Sequence, residues 1–432
     1  MEIIIRKAAD INAVFTAPAS KSFTHRAIIA AALSEGRTTI RNPLFSEDTE
    51  VTVSALKALG ISVSCSPSEI VVEGCAGVMP QCGNQTIDCK NSGTSLRHLV
   101  TLSLLSPSKT VLTGTKRMQE RPIGALCEAL KGCGADIEYL GAAGCPPVSV
   151  NGGGFSGGRI TIDASKSSQY VSSILICAPY AESAVELMPK GSVASRSYID
   201  LTISVMRAFG AEVDLTPDGI WKVMPAVYKA PGGVYTVEGD YSSASYFFAA
   251  AAVCGGSVTV KGLNPDSVQG DRVFLAALSK MGCRVSVTYC GDTRDPAIKV
   301  ESDGNLNGID IDMSSSPDIV QTLCAVCVFA GSPSRISGIS HLRYKESDRI
   351  EAIRILTESC GCGFALRDDV IEIIPHGGVH GFECDPNNDH RTAMSAAVIG
   401  LGCGDVRISG AECVSKSFPD FWVNLKEAGL SE

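Results

Sequence analysis

Aromatic side chains are scarce in this chain, at 6% of 432 residues. Positive charge is scarce too: 37 Lys and Arg stand against 46 Asp and Glu, a formal net charge of −9. A nucleic-acid or membrane-surface partner needs a basic face, and single-stranded nucleic acid needs stacking rings as well. No nucleic-acid and no membrane partner is therefore expected. No apolar run approaches the ~20 residues that span a bilayer. The opening MEIIIRKAADI lacks the layout of a signal or transit peptide, so a cytoplasmic protein is expected.

Cysteine is plentiful, at eighteen, but a disulfide pattern is missing. Cys177, Cys254, Cys324, Cys327 and Cys403 lie inside apolar runs, where a reduced thiol packs as a small core residue. Free thiols fit better than a disulfide framework. Cys324 and Cys327 have the C-x-x-C spacing of redox and zinc sites, yet they fall in a helical run with no second pair and read as core. His376, His380 and Cys384 lie in a Gly-rich loop without a tight ligand set. GGGFSGG at 152–158 joins two strand-like runs and lacks the strand-to-helix setting of a phosphate loop. No metal site is expected.

What is present is a repeat. A helical run ending in Gly recurs at Gly60, Gly134, Gly210, Gly282, Gly361 and Gly429, at intervals of 74, 76, 72, 79 and 68 residues. Each Gly is a helix C-cap that requires positive φ. The strand after it usually returns through a turn, as at 61–74 and 364–375, which predicts hairpins. An earlier helix precedes each of these runs, for example 22–33 before 49–59 and 94–105 before 122–133. The unit is β-α-β-α-β-β, repeated six times, an α/β fold. The sixth copy lacks its closing hairpin, while the chain opens with a bare strand at 2–5. That strand is expected to complete the last copy. Two domains follow: residues 1–20 with 238–432, carrying both termini, and residues 21–237.

Against the acidic background, Lys and Arg recur in short polar segments at helix starts. These are PASKSFTHR (18–26), NSGTSLR (91–97), KRMQERP (116–122), ASRSY (194–198), YKESDR (344–349), NDHR (388–391) and SKSFPD (415–420). A helix N-terminus offers unpaired N–H groups and partial positive charge, and an added Arg or Lys makes a site for phosphate or carboxylate. Lys21, Ser22 and Arg26 open one helix, with Ser22 and Arg26 on one face. Thr94 and Arg97 open another, Ser167, Ser168 and Gln169 a third, Ser195 to Tyr198 a fourth, and His390 with Arg391 a fifth. Asp348 and Glu351 have capping-box spacing, which puts Lys345 and Glu346 just before a helix and Arg349 in its first turn. A small, multiply anionic ligand gripped from many directions is expected. Asp318, after Pro317, and Glu346, between Lys345 and Arg349, are carboxylates set among these cations. Such groups either neutralise charge or move a proton.

Taken in order, SKSFTHRA, NSGTSLR, RMQERP, DASKSSQY, SYIDLT, EGDYSSASYF, YKESDRI, NDHRTAM and SKSFPDF span the chain. Together they resemble the 5-enolpyruvylshikimate-3-phosphate synthases of the enolpyruvyl transferase family. The resemblance implies two domains of three β-α-β-α-β-β units each, with the active site in the cleft between them. It implies transfer of enolpyruvate from phosphoenolpyruvate to shikimate 3-phosphate with release of phosphate, in a cytoplasmic monomer without metal or other cofactor. By motif, Lys21 serves both substrates and the chemistry, and Ser22 and Arg26 hold the shikimate carboxylate. Ser167, Ser168 and Ser195 hold the shikimate phosphate with Tyr198 nearby. Asp318 and Lys345 meet the reacting 5-hydroxyl. Gly93, Thr94, Arg121, Gln169, Arg349, His390, Arg391 and Lys416 form the phosphoenolpyruvate site, where glyphosate competes. Asp318 and Glu346 are the implied proton-transfer pair. Two positions depart from the family pattern: His341 stands at an acceptor-binding position that is usually Asn, and His98 where many members have Pro. The nearest rival, the UDP-N-acetylglucosamine enolpyruvyl transferases, carries a Cys in a mobile loop and lacks the SSQY and YKESDR contexts.

Overall fold

The computed structural model describes residues 1–290 and 295–430. The chain divides into two compact units, Ala19–Val237 and Met1–Pro18 with Glu238–Glu432. Each is built from small sheets of one design.

In the Ala19–Val237 unit there are three four-stranded sheets. One runs Gln85–Asp88, Thr110–Thr113, Val148–Asn151, Asp136–Tyr139, and another Gly158–Ile162, Val185–Pro189, Trp221–Val223, Val213–Leu215. In both, the first two strands are parallel and are joined by a helix, as a parallel pair requires, while the last two form an antiparallel hairpin. The third sheet has the same layout, but its first strand arrives last: Val234–Thr236 pairs in parallel with Arg37–Arg41.

The other unit repeats the device. Asp310–Asp312 pairs in parallel with Ser334–Ser337, followed by the hairpin Gly363–Arg367 and Val370–Ile374. In a second sheet, Gly256–Lys261 takes its parallel partner from Ile11–Thr16 near the N-terminus. The last sheet has three strands, and Ile3–Ile5 closes it by pairing antiparallel with Val406–Ile408. The opening strand therefore completes the sixth copy, as expected. The strands at Ile11–Thr16 and Val234–Thr236 were not expected. Their partners lie far away in the chain, so no local signal marks the pairing.

All six repeat glycines have positive φ, from +71° at Gly429 to +114° at Gly282. The first helix of several copies is buried nearly all round. Lys21–Leu33 is covered from Phe23 to Leu33, and Tyr241–Cys254 and His390–Cys403 behave alike. Runs such as AIIAAAL (27–33) and AAAA (249–252) explain it: small side chains let helices and sheets pack on every side. The polar starts of Lys21–Leu33 and His390–Cys403 carry candidate site residues. Among the described residues every cysteine is free, and Cys324 and Cys327 lie buried in the helix Val320–Cys327. Among the described residues no helix is long and apolar enough to cross a membrane.

Candidate active site

Lys21 is the first residue of its helix, behind the N-cap Ser20. Its Nζ lies 2.9 Å from Asp48 Oδ2, and Asp48 is itself buried in the first turn of the helix Glu47–Ala58. The carbonyl of Asp48 accepts from Ser95 Oγ at 3.2 Å. Ser95 Oγ meets Thr52 Oγ1, and Thr52 Oγ1 meets His25 Nδ1, each at 2.8 Å. One buried polar chain thus ties together three helix starts. Burial pushes His25 down to about 3, so it is neutral here.

Arg26, one turn beyond Ser22, is fully buried. It donates from Nε to Thr202 Oγ1 at 2.7 Å, from Nη1 to the Ser22 carbonyl at 2.9 Å, and from Nη2 to the Tyr198 carbonyl at 3.3 Å and Ser172 Oγ at 3.5 Å. Its first task is to bind the Lys21–Leu33 helix to the helix Ser197–Ala208.

The helix Gly93–Leu102 starts between two arginines. A Cβ on Gly93 would stand 2.5 Å from Arg97 Nη1 and 2.6 Å from Arg121 Nη2, so glycine is what lets both guanidinium groups close on this helix start. Arg97 Nη1 donates to Gln169 Oε1 at 2.7 Å, and Gln169 Nε2 donates to Thr94 Oγ1 at 3.0 Å. Arg121 Nη1 reaches the Asn91 carbonyl at 3.2 Å. His98 is buried and neutral, with Nδ1 2.8 Å from the Thr94 carbonyl; burial, then Arg26, holds it well below the usual imidazole range.

Ser167 and Ser168 precede the helix Gln169–Cys177, where Ser167 Oγ accepts from Gln169 N at 3.3 Å. Ser195 precedes Ser197–Ala208 in a left-handed conformation, φ +54°, and its buried Oγ has no protein partner. A serine held at positive φ is a strained choice that places its hydroxyl and the N–H groups that follow.

In the other unit the charged side chains form one network. Arg349, first in the helix Arg349–Ser359, is 1% exposed and meets three carboxylates: Nη1 lies 2.9 Å from Asp318 Oδ1, Nη2 2.8 Å from Glu346 Oε2, and Nε 3.1 Å from Asp389 Oδ2. Arg391 grips Asp318 from the other side, with Nη2 2.8 Å from Oδ2 and Nη1 2.7 Å from the carbonyl. Lys416 Nζ is 3.7 Å from Glu346 Oε1. Burial alone would raise the Asp318 carboxyl, but Arg391, Arg349 and Lys345 outweigh it and hold it far below the usual range. His341 is buried beside Lys345; burial, then Lys345, lowers it to about 3, and its Nε2 has no protein partner. His390 is buried with Nδ1 3.9 Å from Asp389 Oδ1.

Asp348 does cap its helix, accepting from Ile350 N and Glu351 N, but the expected capping box is not made. Glu351 turns instead to Arg354 one turn on, at 2.9 Å, because a guanidinium offers a carboxylate two charged donors where the cap offers one neutral N–H.

Two basic clusters, each at converging helix starts and one with embedded carboxylates, make sites for small polyanions. The sequence model of EPSP synthase (3-phosphoshikimate 1-carboxyvinyltransferase) matches residues 5–425. The chain belongs to the EPSP synthase family. It is 51% identical over 431 residues to the 3-phosphoshikimate 1-carboxyvinyltransferase of Methanoculleus marisnigri, with 100% of both chains covered. It is 38% identical over 426 residues to that of Serratia proteamaculans, covering 98% of this chain and 97% of the relative. A solved EPSP synthase from Acinetobacter baumannii matches with a TM-score of 0.81 at 27% identity, covering 100% of this chain and 98% of that one.

Beside the candidate site residues the structure places three that sequence reading did not number among them. Arg97 is the direct partner of Gln169 and, with Arg121, flanks Gly93. Asp48 holds Lys21, and Asp389 holds Arg349. Arg97 and Asp389 stand inside the quoted segments, so their segments were the signal. Asp48 carries no signal at all, because SEDT is an ordinary helix start.

Proposed function

We propose that the two clusters carry out the reaction of the EPSP synthase family: enolpyruvyl transfer from phosphoenolpyruvate to the 5-hydroxyl of shikimate 3-phosphate, with release of phosphate. The chain is a transferase of the shikimate pathway, on the route to chorismate and the aromatic amino acids. The observation that supports the residue roles best is Arg349, buried against Asp318 and Glu346 at 2.9 and 2.8 Å. It sets two carboxyl groups beside the cations that an anionic donor needs.

The acceptor is held by Lys21, Ser22 and Arg26 at its carboxylate, by Ser167, Ser168 and Ser195 at its phosphate with Tyr198 alongside, and by His341, Lys345 and Asp318 near the reacting hydroxyl. The donor takes Lys21, Gly93, Thr94, Arg121, Gln169, Arg349, His390, Arg391 and Lys416.

The 5-hydroxyl oxygen adds to C2 of phosphoenolpyruvate while C3 gains a proton, giving a tetrahedral intermediate. Loss of a C3 proton then restores the double bond as phosphate leaves. Positive charge grows at C2 in both halves, and the Asp318 and Glu346 carboxylates stabilise it. Bound donor anions draw on Arg349 and Arg391, which relaxes their hold on Asp318 and makes it a stronger base. Asp318 then takes the hydroxyl proton and returns it to the leaving phosphate, while Glu346, entering as the acid, gives a proton to C3 in the addition and takes one back in the elimination. The protein acts as a cytoplasmic monomer, which sedimentation of the purified chain checks.

The test is phosphate release from phosphoenolpyruvate with each acceptor in turn. Turnover with shikimate 3-phosphate and none with UDP-N-acetylglucosamine supports the reading. The reverse outcome assigns the chain to the rival acceptor class.

A further inference from the structure

We infer that Asp389 is the positioning residue of the donor site: one buried carboxylate aims Arg349 and starts the helix that presents Arg391. The inference rests on the reading above, in which these two arginines hold the phosphoenolpyruvate anion.

The three carboxylates on Arg349 are not equivalent. Asp318 and Glu346 keep 21% and 12% of their side-chain surface exposed, whereas Asp389 keeps none. Asp318 and Glu346 use the Nη1 and Nη2 ends of the guanidinium, the fork that an incoming carboxylate or phosphate would share. Asp389 takes the opposite corner, Nε, at 3.1 Å. A guanidinium is planar and rigid, so fixing Nε fixes where the fork points. The anchor stays in place while the fork changes partners during turnover.

Asp389 is itself held. Oδ2 accepts from Ser347 Oγ at 2.7 Å as well as from Arg349, and Oδ1 accepts from Arg391 N at 3.0 Å. The last bond is the N-cap of the helix His390–Cys403. Side-chain direction at Arg349 and helix start at Arg391 are therefore referred to the same two oxygen atoms.

Asp389→Asn separates these duties. Asn is as good an N-cap as Asp, so the Arg391 helix keeps its start. Its amide offers no charge to Arg349 and cannot accept at both former oxygens, so the Nε anchor is lost. At saturating shikimate 3-phosphate, the phosphoenolpyruvate KM of Asp389→Asn should rise about tenfold or more. The shikimate 3-phosphate KM should move less than about threefold, because of its proposed partners only Asp318 touches Arg349, and it does so at Nη1 rather than at the Nε that Asp389 holds. Ser347→Ala removes one hydrogen bond to the same oxygen and should raise the phosphoenolpyruvate KM in the same direction by about two- to fivefold. A purely structural Asp389 would lower the melting temperature and the active fraction and leave that KM unmoved. A phosphoenolpyruvate KM within twofold of the parent in Asp389→Asn overturns the inference. If that variant does not fold, an unmoved KM in Ser347→Ala overturns it instead. Arg349→Ala distinguishes the two levels. If it leaves the phosphoenolpyruvate KM unchanged, the donor-site reading fails; if it raises that KM while Asp389→Asn does not, only the positioning role fails.

Discussion

Glu346, three residues before the helix Arg349–Ser359 begins, accepts from Arg349 Nη2 at 2.8 Å. The group proposed to serve C3 is thus already held by the cation proposed to bind the donor. Charge stabilisation and proton transfer make different demands on it. Glu346→Gln keeps the shape and a hydrogen-bonding oxygen but cannot titrate. Steady-state turnover should fall by roughly 10²–10⁴-fold, with little change in shikimate 3-phosphate affinity by calorimetry. Near-normal kcat would leave Glu346 as a charge neutraliser.

Gly93→Ala places a methyl 2.5 Å from Arg97 Nη1 and 2.6 Å from Arg121 Nη2. Both contacts are the ends of flexible side chains, so the arginines move and the fold persists. The donor site loses its geometry. The inhibition constant of glyphosate, expected at this site, should rise by roughly tenfold or more, with shikimate 3-phosphate KM nearly unchanged. Unaltered inhibition in the folded variant would remove Gly93 from the donor site.

Arg26→Ala tests a second duty of an acceptor-site residue. It deletes the four hydrogen bonds to Thr202, Ser22, Tyr198 and Ser172 and leaves buried acceptors behind. Beyond a raised acceptor KM, urea unfolding should show a loss of about 2–4 kcal/mol. A variant of parental stability would mean that water readily replaces the guanidinium.

Three buried histidines predict an acid limb. Burial lowers His25 and His341 to about 3 and His98 well below the ordinary value of 6.5. Above pH 6.5 both folded and unfolded forms are neutral and nothing is lost. Below it the unfolded chain takes up protons that the folded chain refuses. Stability therefore falls as pH drops from 6.5 toward 3, by about 1.4 kcal/mol per pH unit for each such group. Urea midpoints at pH 7.5 and 5.5 should diverge in the parent and less so in His98→Gln. Parallel falls in both would show that His98 is not one of the proton sinks.

The residues that were readable in the sequence are those whose job is done within a few residues of chain. The positive φ at Gly60 through Gly429 belongs to helix ends, and the cap at Asp348 belongs to a helix start. Both are set by backbone groups no more than a turn away. Their recurrence exposed the six-fold repeat, and the basic residues beside the caps exposed the candidate site.

What the sequence could not show is what depends on groups brought together from afar. Ile11–Thr16 finds its partner strand about 245 residues on, and a six-residue strand carries no mark of which neighbour it will take. Arg349 reads as a first-turn arginine. Only folding brings it Asp318 and Asp389, 31 and 40 residues distant, and makes it the hub of three carboxylates. Asp48 looks like any acidic helix start until Lys21 meets it at 2.9 Å. By itself the sequence determined where helices begin and end and which segments carry charge, because those are short-range hydrogen-bond and dipole effects. The tertiary structure alone decided which charges face one another and which are buried. Those outcomes depend on distance and desolvation, which the order of residues does not contain.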